Sequence, residues 1–159
     1  MKRLAQVLTA SSLLLFAETA ISDAKVDAEI LMNSALPSAE KMLSEHGEFY
    51  PFGEAMKPDG QIVSVGAAGE SDQPPSQELI DILKVTFREA AAAGEYKATA
   101  VVFDILTIPP GETEKVDAIA IALDHVDNYS VVVIFPYSID GKSVTLYAPF
   151  GQKGDGDIF

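Results

Sequence analysis

An α+β domain is what this sequence predicts, with an antiparallel sheet of five or six strands and two helices on one face. Three observations lead there. Leu79 to Ala92 repeats apolar side chains at helical spacing. Six runs elsewhere are rich in β-branched and aromatic residues and have the length of strands. Several of them follow one another across short turn signals, and short turns join antiparallel neighbours. The predicted order is α-β-β-α-β-β-β-β.

The first helix is expected over Lys25–His46, where Val26, Ile30, Met42 and Leu43 keep an interrupted helical period. Pro37 should kink or restart it. Gly47 stands just past its end, where a left-handed capping residue belongs. Glu48–Met56 reads as a strand, with Pro51 at an edge or bulge because it cannot donate to a ladder. In Lys57-Pro58-Asp59-Gly60 the proline presets φ and the glycine accepts a positive one, which makes a turn. Gln61–Ala67 completes a hairpin through Ile62, Val63 and Val65.

A polar loop, Gly69–Ser76, leads to the second helix. Leu79, Ile80, Leu83, Phe87 and Ala90 share one of its faces, and Gly94 follows its end. Tyr96–Leu106 centres on Val101-Val102-Phe103. In Val116–His125, Ala118, Ala120 and Ala122 alternate with Ile119, Ile121 and Leu123. One face of that strand is therefore small and suited to lie close under the second helix. Ser130–Tyr137 follows, and Asp140-Gly141 turns the chain into Lys142–Tyr147. Gly151–Phe159 is polar and is expected to fray as a flexible tail.

Residues 1–24 have the layout of a secretory signal peptide. Lys2 and Arg3 precede an uncharged run from Leu4 to Ala17, and Ser22 and Ala24 put small residues before a cut at Lys25. The competing reading is an amphipathic helix that stays attached, since Gln6, Thr9, Ser11 and Ser12 dilute the run. The run is shorter than the roughly 20 residues of a membrane span. The expectation is a periplasmic or secreted protein without a membrane span, with one α+β domain over 25–150 and a tail over 151–159.

Composition removes several functions. With 11 Lys+Arg against 24 Asp+Glu the net charge is −13, and no basic cluster exists to meet the phosphates of nucleic acid. Without cysteine there are no disulfides, thiolate zinc sites, iron–sulfur clusters or cysteine nucleophiles. Two histidines are too few for a histidine-rich metal site. No Gly-x-Ser-x-Gly elbow appears, and Gly66-Ala67-Ala68-Gly69 lacks the Gly-Lys-Ser/Thr of a phosphate cradle. Asp155-Gly156-Asp157 has only a fragment of a calcium loop. No catalytic residue, metal or cofactor is therefore assigned.

Phe49-Tyr50-Pro51-Phe52-Gly53, the following Lys57-Pro58-Asp59-Gly60 and Ser76-Gln77-Glu78-Leu79-Ile80 resemble a group of small uncharacterised bacterial proteins of about 130 residues. Asp117-Ala118-Ile119 and Phe135-Pro136-Tyr137 fit the same pattern, so the likeness covers roughly residues 36 to 150. It implies a self-contained bacterial domain and carries over no active-site residue. At the level of fold, the element order is similar to that of profilin-like and roadblock-like domains, which licenses no function.

The residues left to carry a site are aromatic and acidic. Phe49, Tyr50, Phe52, Phe135 and Tyr137 supply rings. At strand spacing Phe49 and Phe52 point to opposite sides, so one set is either an exposed binding patch or lies beneath the first helix. Asp104 interrupts the apolar run Val101–Leu106, which puts it on the solvent face or buries it with a hydrogen bond. His46 and His125 read as capping or solvated residues. Val131–Phe135 would be adhesive if it formed a sheet edge.

These features point first to an exported acidic, non-catalytic binding or interaction domain of the immunity or inhibitor kind. Its net charge suits a basic protein partner, and the chain could be a monomer or a homodimer. A small-molecule-binding sensory module on a profilin-like sheet is the alternative, marked by a pocket between sheet and first helix. A hydrolase using paired carboxylates is the third reading.

Overall fold

The structure, a computed structural model, describes residues 11–159, with side chains from Asp23 onward. Helix α1 spans Ser11–His46 and passes through Pro37 without a break. Residues 1–10 of the expected signal segment lie outside the described residues, and residues 11–24 form the first part of helix α1. Strands β1 (Phe52–Met56) and β2 (Ile62–Val65) form the first hairpin, and α2 (Ser76–Ala92) follows. Then come β3 (Ala98–Thr107), β4 (Val116–His125), β5 (Tyr129–Asp140), β6 (Ser143–Leu146) and β7 (Phe150–Lys153). Every strand pairing is antiparallel, in the order β2-β1-β3-β4-β5-β6, with β7 also on β5. The chain is an α+β protein in the predicted order, with one further strand.

That strand continues β6. Leu146 pairs with Tyr137 and Phe150 pairs with Ile134, so three residues, Tyr147 to Pro149, stand opposite two, Phe135 and Pro136. One extra residue on one side is a β-bulge. Pro136 has no N–H to offer there, and its carbonyl accepts the Tyr147 N–H at 2.8 Å. The seven strands thus fill six positions across the sheet.

The two helices take opposite faces, not the single face the sequence suggested. The reason lies in β3, where Ala98 to Val102 are all buried. Ala98, Ala100 and Val102 pack with α1, together with Met56, Ile119 and Ile121. Val101 and Phe103 pack on the other side with Leu83 and Phe87 of α2 and with Ala55 of β1. A strand that is apolar on both faces needs a cover on each. Helix α1 meets its face through Ala28, Leu31, Ala35, Ala39 and Leu43. The alanine face of β4 is shared. Ala122 lies with the α2 cluster, while Ala118 and Ala120 pack with Phe103, Ile105, Ile134 and Phe150.

Helix α2 sits tightly on β1. A Cβ on Gly53 would stand 2.5 Å from the Phe87 ring, so only glycine fits under that side chain. The terminal segment is also docked, which corrects the expected flexible tail over 151–159. Beyond β7, Gly154 donates to the Ser130 carbonyl at 3.3 Å and Gly156 donates to Ser130 Oγ at 3.0 Å. Ile158 is buried against α2. Lys84 Nζ reaches Asp155 and Asp157 at 3.3 and 3.2 Å, and Arg88 also binds Asp157. The polar composition that suggested fraying supplies these bonds. Strand β5 lies inside the sheet, so Val131–Phe135 is not an edge.

Gly53→Ala should lower stability by about 1–3 kcal/mol through overpacking against Phe87, while Gly66→Ala, with open space around it, should be near neutral; urea denaturation of both variants checks this. The tail gives a pH prediction. Burial works to raise the Asp157 pKa, but Lys84 and Arg88 outweigh it and hold the carboxyl below its ordinary 3.8. A depressed carboxyl stabilises fully above its unfolded value and loses that contribution as pH falls through the folded one. Asp157→Asn should therefore destabilise at neutral pH, and its deficit should shrink below pH 3.8, as read by thermal unfolding across pH.

Candidate functional site

Three walls meet where α1 stops. Gly47 adopts a positive φ of +78°, and its N–H bonds the Leu43 carbonyl at 2.8 Å. This cap ends the helix at His46 and sends Glu48, Phe49 and Tyr50 towards Asp104 on β3. The start of α2 brings Ser76 to the rim. Met42, His46, Glu48, Phe49, Tyr50, Ser76 and Asp104 together line a cavity of about 570 Å³.

Three of the six expected binding residues, Phe49, Tyr50 and Asp104, line this cavity. Tyr137 joins them indirectly: its hydroxyl donates to Asp104 Oδ1 at 3.0 Å. Phe52 packs edge-on against Phe49, with ring centroids 6.0 Å apart. Phe135 is buried in the α1 core. The contact between Phe49 and Phe52 overturns the expectation that they point to opposite sides. Residues 48–51 are not in the sheet, and two-residue alternation begins only at Phe52. Phe49 is left buried, and Tyr50 is 53% exposed.

Asp104 is both exposed and hydrogen-bonded, on the α1 face but past the end of the helix. Burial of its carboxyl raises its pKa, and the nearby Asp117 charge adds to this. Bonds to the Tyr137 hydroxyl and the Ile105 backbone pull the other way without cancelling the rise. The Tyr137 phenol is pushed far above its usual range by burial and by the Asp104 charge, so it stays a donor. Asp104 accepts one bond from Tyr137, and a carboxylate has room for about four. Among the described residues no Lys or Arg lines the cavity, and His46 is the basic side chain in its wall. The arrangement offers an aromatic face, apolar side chains and carboxylates, a combination suited to holding a cation.

The second histidine belongs elsewhere. His125 is buried, which corrects its reading as solvated. Its Nδ1 accepts the Asp127 N–H at 3.0 Å, so Nε2 carries the proton and donates to Asp27 Oδ2 at 3.1 Å. Lys97 Nζ lies 2.8 Å from the same oxygen. This cluster ties α1 to the ends of β3 and β4. The Asp155-Gly156-Asp157 fragment is engaged with Lys84 and Arg88, as described above.

Sequence reasoning passed over Glu54, which is 4% exposed on the α1 face of β1. Among the described residues its Oε2 has no hydrogen-bond partner. Burial raises its pKa, and a bond to Ser34 offsets only part of the rise. An acid between Gly53 and Ala55 was the available signal, the same kind of interruption that drew attention to Asp104. A second cavity, about 520 Å³, opens on the other face between Pro109, Pro110, Pro136, Tyr147, Pro149 and Phe150. It is mainly apolar, with Glu112 as its carboxylate. Among the described residues no helix is long and apolar enough to cross a membrane. Comparisons of this chain with protein-family models, curated proteins and solved structures return no match.

Glu54 yields a prediction whose sign follows from its raised pKa. The carboxyl costs nothing below its unfolded value of 4.5 and destabilises increasingly as pH rises through the folded value. Glu54→Met, which keeps the shape and removes the unpartnered oxygen, should raise the melting temperature at pH 7. The gain should shrink as pH falls towards 4.5, which thermal unfolding across pH will measure.

Proposed function

We propose that this protein is an exported acidic, non-catalytic binding domain whose ligand site is the cavity at the end of α1. The observation that carries the reading is the convergence of Phe49, Tyr50 and Asp104 on one open cavity, with Tyr137 fixing the carboxylate. These residues come from separate parts of the chain, and the cap at Gly47 brings two of them to the third. Rings supply contact area at little entropic cost, and the acids supply orientation. The net charge of −13 would draw a basic partner towards the domain, in the manner of an immunity or inhibitor protein. The same cavity lies between sheet and first helix, which favours a small-molecule sensory module as the second reading.

The raised Asp104 pKa is the one feature that suits a hydrolase. In the binding reading, Asp104 and Tyr50 contribute affinity and no turnover. Tyr50→Ala and Asp104→Asn should both leave the fold intact, because Tyr50 is exposed and Asp104 keeps an acceptor for Tyr137. Each should shift or abolish ligand-induced NMR changes at the cavity residues in a screen of small cations and basic peptides. Ligand-induced changes that survive both substitutions would overturn the assignment of the site. For export, mass spectrometry of the cellular protein should find Lys25 at its N-terminus, and an intact Met1 would remove that part of the proposal.

A further inference from the structure

Strand β3 is open along half of one edge. It spans Ala98–Thr107, but β1 pairs only with Ala98–Val102. Among the described residues no other strand pairs with it on that side. Pro51 is the reason: β1 would have to run back through it, and it has no N–H for the ladder. The chain turns away there and buries Phe49 in the α1 core. Phe103, Asp104, Ile105, Leu106 and Thr107 are therefore paired with β4 on one side and unpaired on the other. The cavity lies beside this edge. Its walls include Met42 and His46 of α1 and Ser76 of α2, and the two helices cover opposite faces of the sheet. A hollow walled by both lies at the border of the sheet layer, next to Asp104, where a continuation of β1 would run. Beyond Thr107, Pro109 and Pro110 offer no N–H, which ends the open stretch.

We infer that this edge is a strand-addition site, where an extended segment of a partner protein pairs with Phe103–Thr107 and fills the cavity as it does so. The inference rests on the binding reading and names its class of ligand. Charge complementarity selects the occupant. An open edge carries both N–H donors and C=O acceptors, and an extended chain matches both at the spacing of the strand. A small cation would meet acceptors alone, and an anion donors alone. The open stretch takes a segment of about five residues, roughly 17 Å. Every pairing in this sheet is antiparallel, so the segment follows the direction of β1. Its side chains then alternate between two surroundings. Opposite Asp104, on the α1 face, a hydroxyl can donate to the carboxylate that Tyr137 already holds. Opposite Ile105 the side chain meets the face on which Phe103 and Ile105 pack with Ala118, Ala120 and Ile134, which favours an apolar residue. The partner segment is thus a strand former that alternates polar and apolar residues, such as threonine and valine.

The test follows the backbone amides of the full chain by NMR, with a capped Val-Thr-Val-Thr-Val peptide as the probe. Amides of alternate residues within Phe103–Thr107 should exchange quickly in the free protein and slow about tenfold or more under saturating peptide. Two further peptides each carry one N-methyl group, on the central valine or on the threonine that follows it. Successive N–H groups of a strand point to opposite sides. One of the two methyl groups should therefore weaken binding about tenfold or more, and the other should be tolerated. Equal effects of the two would overturn the inference, because side-chain recognition does not read which way an N–H points. Shifts at Tyr50 and Asp104, from the peptide or from butylammonium, without slowed exchange in Phe103–Thr107 would also overturn it. The cavity would then hold its ligand by side chains, and the binding reading would stand. Slow exchange that grows with protein concentration alone would give the edge to a second copy of this chain and overturn the assignment to a partner. No response at the cavity to the peptides, to butylammonium or to a lysine-rich peptide would remove both the inference and the binding reading.

Discussion

The seating of α1 on the sheet depends on a stripe of side chains that stop at Cβ. Ala28, Ala35 and Ala39 face the strands, and Leu31 and Leu43 reach into the gaps between them. Two polar ties hold the helix in register along this stripe. Near the start of the stripe, Asp27 binds His125 and Lys97. Near its end, Ser44 Oγ donates to the Lys142 carbonyl at 2.6 Å. With the helix held at both places, its last turn falls at a defined point on the sheet. The cap at Gly47, the path of Glu48 to Tyr50 and the cavity all follow from that point. Larger residues in place of the alanines would lift α1, and the cavity wall formed by Met42 and His46 would move with it.

Two-sided burial of β3 is the complementary constraint. Because its inner residues are apolar on both faces, the domain needs two covers and becomes a three-layer structure. Helix α2 takes the second face with little clearance at Gly53. The terminal segment then closes over the side of α2, through Ile158 in the core and Asp157 between Lys84 and Arg88. Polar groups on this segment hold it by bonds to defined partners, not by area alone.

The legible parts of the fold were those written in short-range patterns. The period of α2, the turn at Lys57–Gly60 and the alternation in Val116–His125 each refer to neighbours a few residues away, and each led to the right element. The side a helix chooses is set by which strand lies between the two helices, and no local pattern records it. The run Val101-Val102-Phe103 held the clue, since an unbroken apolar stretch marks burial on both faces. The bulge at Tyr147–Pro149 was hidden for a similar reason: it depends on Pro136, on the partner strand. At the site, Phe49, Tyr50 and Asp104 could be singled out because aromatic clusters and misplaced acids stand out in a sequence. Phe52 and Phe135 stand out equally and are core residues. Glu54 escaped notice because its burial comes from α1 lying over it, which is a long-range fact.

The bulge between β6 and β7 also governs what the outer border of the sheet can do. An unbroken border strand presents a comb of backbone donors and acceptors on which a foreign strand can crystallise. Here the comb is cut into two teeth-sets of four residues, out of step with one another by one position. The opposite border, β2, is also only four residues long. A strand arriving at β2 or at the border formed by β6 and β7 finds no template longer than that. The outermost borders of this broad antiparallel sheet are thus kept short, which limits what a foreign strand could pair with there.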